Sequence, residues 1–185
     1  MSSVKVLLTS AGFETKAISD VFLSFINKDP KDIKVLFIPT AAITVEAVAA
    51  LPLCMDDLLK LEITAKNIKI FDLHRSLSSE GLSVYDAVYF AGGSAQYLLE
   101  RINATGFSVP LNEFVSKGGV YVGVSAGSIV AAGNLADNLG YLKAKLQAHT
   151  KAGTAAGTFD DNAAANIDLT DSNAVVISNG VYKVI

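Results

Sequence analysis

KGGVYVGVSAG, residues 117–127, runs from a glycine pair through a short apolar, β-branched segment into a Gly-x-Ser-x-Gly pentapeptide, Gly123 to Gly127. Val120 to Val124 has the composition of a buried strand, and the small residues after it put a helix start directly at the strand's end. A strand that turns sharply into a helix pushes the side chain at the turn outward, where a base can take its proton. Ser125 occupies that turn and is the candidate nucleophile. Gly123 has no side chain to collide with the helix, and Gly127 lets the helix start close against the sheet. The unpaired N–H groups of a helix start, together with the positive end of its dipole, favour an oxyanion beside Ser125. A plain tight turn packed with small residues uses the same pentapeptide, so its meaning depends on partners elsewhere in the chain.

Working outward, four more apolar runs bounded by Gly, Pro or Ser read as strands: Val4 to Thr9, Ile33 to Pro39, Ile68 to Leu73 and Ala87 to Ala91. Between them helical spacing recurs in Ile18, Val21, Phe22, Phe25 and Ile26, then in Leu58 to Ile63, Tyr97 to Ile102 and Leu111 to Val115. Strands apolar on both faces, alternating with helices, predict an α/β fold: an open, mostly parallel, doubly wound sheet with helices on both faces. Ligands of such sheets bind beyond the carboxyl ends of the strands. That singles out the loops Ser10 to Phe13, Thr40 to Ile43, Gly92 to Gln96 and Ser125 to Ser128. After Gly140, Leu142, Ala144, Leu146 and Ala148 alternate with polar residues, which predicts a half-exposed strand ending at His149. Lys151 to Asn166 reads as a surface loop, and Ala174 to Ile185 as a hairpin turning at Asn179 and Gly180.

A chain of 185 residues, 51% hydrophobic, can bury one sizeable core, so residues 1–185 are expected to form a single domain. With 15 basic against 18 acidic residues and no basic cluster, nucleic acid is excluded as a partner. Cys54 is the one cysteine; it can form no internal disulfide and reads as a packing residue on a helix, which fits a reducing compartment. Met1 leads directly into Val4 to Thr9 with no signal-peptide pattern, and no apolar run approaches the ~20 residues of a membrane span. The expected location is therefore cytoplasmic, away from membranes. Gly92 and Gly93 begin neither a P-loop nor a Gly-x-Gly-x-x-Gly pattern, so no nucleotide cofactor is expected, and Cys54, without a second Cys or a nearby His, is a poor metal ligand, so no metal is expected.

A serine nucleophile needs a base within hydrogen-bond reach and a third group that fixes the base's tautomer. The chain has two histidines. His74 reads as an exposed residue at the end of a strand, whereas His149 ends a strand after Ser125 and suits the order serine, acid, histidine found on α/β hydrolase sheets. His149 is the expected base. Asp137 is the only acidic residue between Ser125 and His149 and is the expected acid; Asp160 and Asp161, after His149, remain open alternatives. The oxyanion hole is expected to combine the N–H of Ala126 with one from the Gly92–Gly93 loop.

Two segments carry a resemblance to a known family. Val88 to Leu99, with Gly92, Gly93, Ser94 and Ala95, is similar to the Gly-Gly-Gly-Asn-Thr strand end and following helix of the peptidase E aspartyl dipeptidases and their cyanophycinase relatives. Lys117 to Gly127 resembles the same family's nucleophile segment. The resemblance implies a class I glutamine amidotransferase-like fold and metal-free cleavage of small peptides, often with an N-terminal aspartate, through an acyl-enzyme. It assigns Ser125 as nucleophile, Gly93 and Ala126 as oxyanion donors and His149 as base, with Gly92 and Ser94 beside the substrate. Ala91 stands where the family has its first glycine, and Ser94 and Ala95 where it has Asn and Thr. The cation for an acidic substrate residue would come from Arg101, Lys143, Lys145 or Lys151. A monomer or homodimer acting on small peptides is the expected form; a non-catalytic binding protein on the same scaffold is the alternative.

Overall fold

Five strands run parallel from one edge of a single sheet toward its middle: β1 (Lys5–Thr9), β2 (Val35–Ile38), β3 (Ile68–Ile70), β4 (Ala87–Phe90) and β5 (Val120–Val124). The computed structural model describes residues 4–185, so the expectation about the Met1 end lies outside the described residues. Each parallel strand falls within the apolar run that predicted it. Val6, Leu7 and Leu8 of β1 are all fully buried, as strands covered on both faces require. The side-chain period of two sends Leu7 to one layer and Val6 and Leu8 to the other.

Helices α1 (Lys16–Ile26) and α2 (Val45–Lys60) cover the first layer with Ile18, Phe22, Cys54 and Leu58. The second layer packs under α3 (Ser79–Leu82), α4 (Ala95–Ala104), α5 (Ser108–Ser116) and α6 (Ala126–Ile129), through Leu82, Leu98, Ile102 and Leu111. Helix α2 begins thirteen residues before the Leu58 to Ile63 segment that the spacing marked. The first half of α2 carries exposed Val45, Val48 and Leu53, which blur the amphipathic period, and Pro52, which removes one helical N–H donor. Thr44 nevertheless caps it, its hydroxyl accepting the Ala47 N–H at 3.2 Å.

The later strands are β6 (Lys145–Gln147), β7 (Gly157–Phe159), β8 (Asn166–Asp168), β9 (Ala174–Ser178) and β10 (Val181–Val184). The eight-stranded order is β3-β2-β4-β5-β1-β9-β10-β7, an open sheet whose last three strands are added antiparallel. Asn179 and Gly180, at φ 54° and 75°, make the expected hairpin turn between β9 and β10. Two expectations need correction. The segment from Leu142 to His149 is a strand only over β6, which pairs with β8 outside the main sheet. The predicted loop Lys151 to Asn166 contains β7, a three-residue edge strand anchored by Phe159 against the Tyr182 ring, 5.8 Å away. Its Gly-Thr-Phe composition has too little apolar patterning to read as a strand.

The register decides where chemistry can occur. Thr9 lies opposite Val124 of β5 on one side and Ala174, the first residue of β9, on the other. The segments after β1, after β5 and before β9 therefore meet at one end of the sheet.

Candidate active site

Ser125 sits at φ 47° and ψ −101°, outside the comfortable regions for a residue with a side chain. The surrounding structure holds it there. Its N–H donates to the Thr9 carbonyl at 3.0 Å, and the buried Ser128 hydroxyl lies 2.8 Å from both the Thr9 and Gly123 carbonyls. Tyr121 donates its buried hydroxyl to the Gly127 carbonyl at 2.6 Å. A Cβ on Gly123 would lie 2.6 Å from the Gly127 carbonyl carbon, and one on Gly127 would lie 2.7 Å from Phe90 Cβ. Both positions therefore admit only glycine without backbone movement.

His149, two residues past β6, adopts a left-handed φ of 57°. Its Nε2 lies 3.3 Å from Ser125 Oγ, and its Nδ1 lies 2.7 Å from Asp171 Oδ1. A carboxylate only accepts, so Nδ1 carries the proton and Nε2 presents a lone pair to the serine. Ser10, fully buried at the end of β1, accepts the His149 backbone N–H at 2.7 Å and donates its hydroxyl to Asp171 Oδ1 at 2.9 Å. One hydroxyl thus fixes both the backbone of the histidine and the carboxylate that orients its ring.

The Ser10 hydroxyl, helped by His149, holds the Asp171 carboxyl below the usual carboxylate range. A depressed folded-state pKa gives stability that is present above the unfolded value of about 3.9 and is lost as the pH falls through the lowered one. The Asp171 charge is therefore maintained through the whole range in which a histidine base works. Ser10→Ala removes one charge-assisted bond, worth about 1.5–3 kcal/mol, and is expected to lower kcat by roughly 10- to 100-fold with KM unchanged. A wild-type kcat in that variant would remove Ser10 from the positioning of His149.

Asp137, the acid expected from chain order, does not touch His149. It lies beyond α6 beside Gln96, Leu99, Glu100 and Asn103 in a separate depression. The carboxylate on His149 belongs to Asp171, because antiparallel β9 starts at the end of the sheet where Ser125 projects. Asp161 is buried and accepts the Lys143 and Ala144 N–H groups, while Asp160 accepts the N–H of Asn162. His74 is exposed, 3.5 Å from the Tyr97 hydroxyl and from Asp72. Ser10 lay within one of the four loops singled out by the sheet pattern, but nothing local in the sequence marked either its role or that of Asp171.

Ala126 opens α6, so its N–H is one of that helix's unpaired first-turn donors. Gly93, at φ 138°, has no acceptor for its N–H among the described residues. A Cβ there would lie 2.0 Å from the Ala41 carbonyl oxygen, so the close turn beside Ser125 requires glycine. Gly92 packs against the serine, its Cβ position 3.5 Å from Ser125 Cβ. Ser94 caps α4, its hydroxyl accepting the Tyr97 N–H at 3.2 Å. Cavities of about 660 Å³ and 420 Å³ flank the serine and His149. The larger is walled by Gly92, Gly93, Ser94 and α2 with Cys54, the smaller by Asn134, Lys145, Gln147 and Asn166. Burial pushes the Cys54 thiol up from its ordinary range. No cluster of three or more metal-ligating side chains occurs among the described residues, and no helix among them is long and apolar enough to cross a membrane.

A protein assigned as a peptidase E from Listeria monocytogenes EGD-e superposes with a TM-score of 0.70 at 19% identity, covering 100% of this chain and 98% of that one. A peptidase from an acI-B1 Actinobacterium gives 0.65 at 18% identity, covering 100% and 87%. These likenesses show the fold. The uncharacterized peptidase Lin0382 of Listeria innocua is 28% identical over 102 residues, 55% of this chain; the match spans 49% of that relative's length. The profile of Peptidase family S51 matches residues 6–163, a span that holds Ser10, the Gly92–Gly93 loop, Ser125 and His149 and stops short of Asp171. With most of its length matched in this way, the chain belongs to Peptidase family S51.

Proposed function

We propose that the chain is a serine peptidase that hydrolyses dipeptides and other small peptides through an acyl-enzyme. The observation that carries this reading is the relay Ser125 Oγ, His149 Nε2, His149 Nδ1, Asp171, at 3.3 Å and 2.7 Å. Ser125 attacks the peptide carbonyl carbon while His149 Nε2 takes the hydroxyl proton, and Asp171 stabilises the imidazolium that forms. The N–H groups of Ala126 and Gly93 are assigned to the developing oxyanion. His149 then gives the proton to the departing amine, the C–N bond breaks, and water, deprotonated by the same nitrogen, releases the acid and restores Ser125. The two flanking cavities, about 660 Å³ and 420 Å³, each have the size of a small-ligand pocket, so a short peptide can lie across Ser125 with one end in each.

An amino-terminal aspartate, implied by the family resemblance, calls for a cation at the acyl side. Arg101 donates Nε to the Leu73 carbonyl, and Lys143 Nζ is bonded to Asn162. Of the four candidates only Lys145 lines a cavity with Ser125, the smaller one, and none of the four lines the larger. The buried free thiol of Cys54 suits a cytoplasmic enzyme, acting as a monomer or homodimer. The test is a fluorophosphonate probe followed by peptide mapping, beside release of free amino acids from a dipeptide panel. Labelling at Ser125 with turnover of at least one dipeptide is expected; a folded sample that neither labels nor turns over would instead be a binding protein on this scaffold.

A further inference from the structure

The two cavities beside Ser125 differ in charge. The larger takes the carboxylates of Glu14, Glu46 and Asp171, and no lysine or arginine lines it. Glu14 and Glu46 have no hydrogen-bond or ion-pair partner among the described residues. Glu46 stands in the first turn of α2 and so offsets the positive end of that helix, which would otherwise favour an anion. The rest of the wall includes apolar Leu51, Leu53 and Cys54 along α2, with Thr44 and Ser94 beside them. Beside it Ile43, Val45 and Val48 lie exposed, an apolar concentration that a protein surface seldom leaves without use. Across the serine, the smaller cavity is lined by one cation, Lys145, whose amine has no partner among the described residues, and one carboxylate, Asp168, beside Asn134, Gln147 and Asn166, so it lacks the acidic excess of the larger.

A free dipeptide is a zwitterion with an ammonium at one end and a carboxylate at the other. We infer that the larger cavity takes the amino-terminal residue of the substrate, its ammonium facing Glu14 and Glu46 and an apolar side chain against Leu51 and Leu53, while Lys145 receives the terminal carboxylate. This rests on the peptidase reading and narrows it: the preferred substrate is a short peptide with an unblocked, apolar first residue. An aspartyl side chain in the same cavity would meet like charge and an apolar wall.

The test measures kcat/KM for Leu-Ala, Asp-Ala, N-acetyl-Leu-Ala and Leu-Ala amide, with binding to Ser125→Ala followed by calorimetry. Leu-Ala is expected to exceed Asp-Ala by about tenfold or more and N-acetyl-Leu-Ala by a similar factor, as loss of an ion pair and burial of an unpaired carboxylate imply. The double variant Glu14→Gln, Glu46→Gln should narrow the gap between Leu-Ala and its acetylated form. Lys145→Met should weaken Leu-Ala and leave Leu-Ala amide unchanged. Equal or better turnover of Asp-Ala, or of the acetylated peptide, overturns the inference while leaving a peptidase. If no peptide turns over but Ser125→Ala binds Leu-Ala more tightly than Asp-Ala, N-acetyl-Leu-Ala and Leu-Ala amide, the pocket assignment stands and the peptidase reading falls. Absence of both turnover and binding overturns both.

Discussion

Ser125→Ala is expected to reduce dipeptide hydrolysis by at least about 10³-fold in kcat/KM, because a serine acting as one unit with its base carries most of the chemical step. The magnitude follows from what remains. With Oγ gone no acyl-enzyme forms, and the N–H groups of Gly93 and Ala126 have only a water attack to assist. The fold should survive, since the turn is held by groups the substitution does not touch: the Ser125 N–H on Thr9, Ser128 on Thr9 and Gly123, and Tyr121 on Gly127. Thermal unfolding by circular dichroism should therefore shift by only a few degrees, about what 1 kcal/mol or less would produce in a domain of this size. Wild-type turnover in the variant would exclude Ser125 as the nucleophile, however well the turn fits the role.

The second large effect separates two aspartates. Asp171→Asn keeps the shape at His149 Nδ1 but replaces an obligate acceptor with a group that can donate, so the imidazole can present N–H rather than a lone pair to Ser125. A loss of about 10⁴-fold in kcat is the expected result, with KM nearly unchanged. Asp137→Asn should leave both parameters within about twofold, since Asp137 lies in a separate depression away from His149. The pH profile adds an independent check. In the wild type the Asp171 carboxyl, held below the ordinary range, stays charged and adds no limb of its own to the profile near neutral pH. If Asp137→Asn were the damaging variant, the contact between His149 and Asp171 would have no catalytic meaning.

These two predictions also mark the limit of what the sequence disclosed. The five parallel strands and the turn at Ser125 were legible because each depends on neighbours in the chain: a short apolar run, small residues after it, a helical period beyond. His149 followed from strand alternation and chain order. Asp171 did not, because its position depends on β9 entering antiparallel beside β1, a pairing between residues far apart in sequence. The expected order of serine, acid and histidine pointed instead to Asp137. Ser10 was hidden for a related reason: its loop was marked by the sheet topology, but its partners arrive from residues 149 and 171. The first half of α2 was missed because it does not bury its apolar side chains: Val45 and Val48 are exposed, and Leu53 beyond them is exposed in the wall of the larger cavity.

The seam between β1 and β9 separates the residues of the relay. Ser125 and Ser10 stand on the parallel side, whereas Asp171 enters with the β9–β10 hairpin, to which the edge strand β7 pairs over only three residues. Edge elements of this kind open locally at lower cost than the buried centre of a sheet. Fraying that starts at β7 and reaches the first residues of β9 would withdraw the carboxylate from His149 before the apolar contacts of the five parallel strands are lost. Loss of activity should accordingly precede loss of far-ultraviolet circular dichroism when urea is raised, with the catalytic midpoint at the lower concentration. Coincident midpoints would mean that the hairpin and the parallel core melt as one cooperative unit.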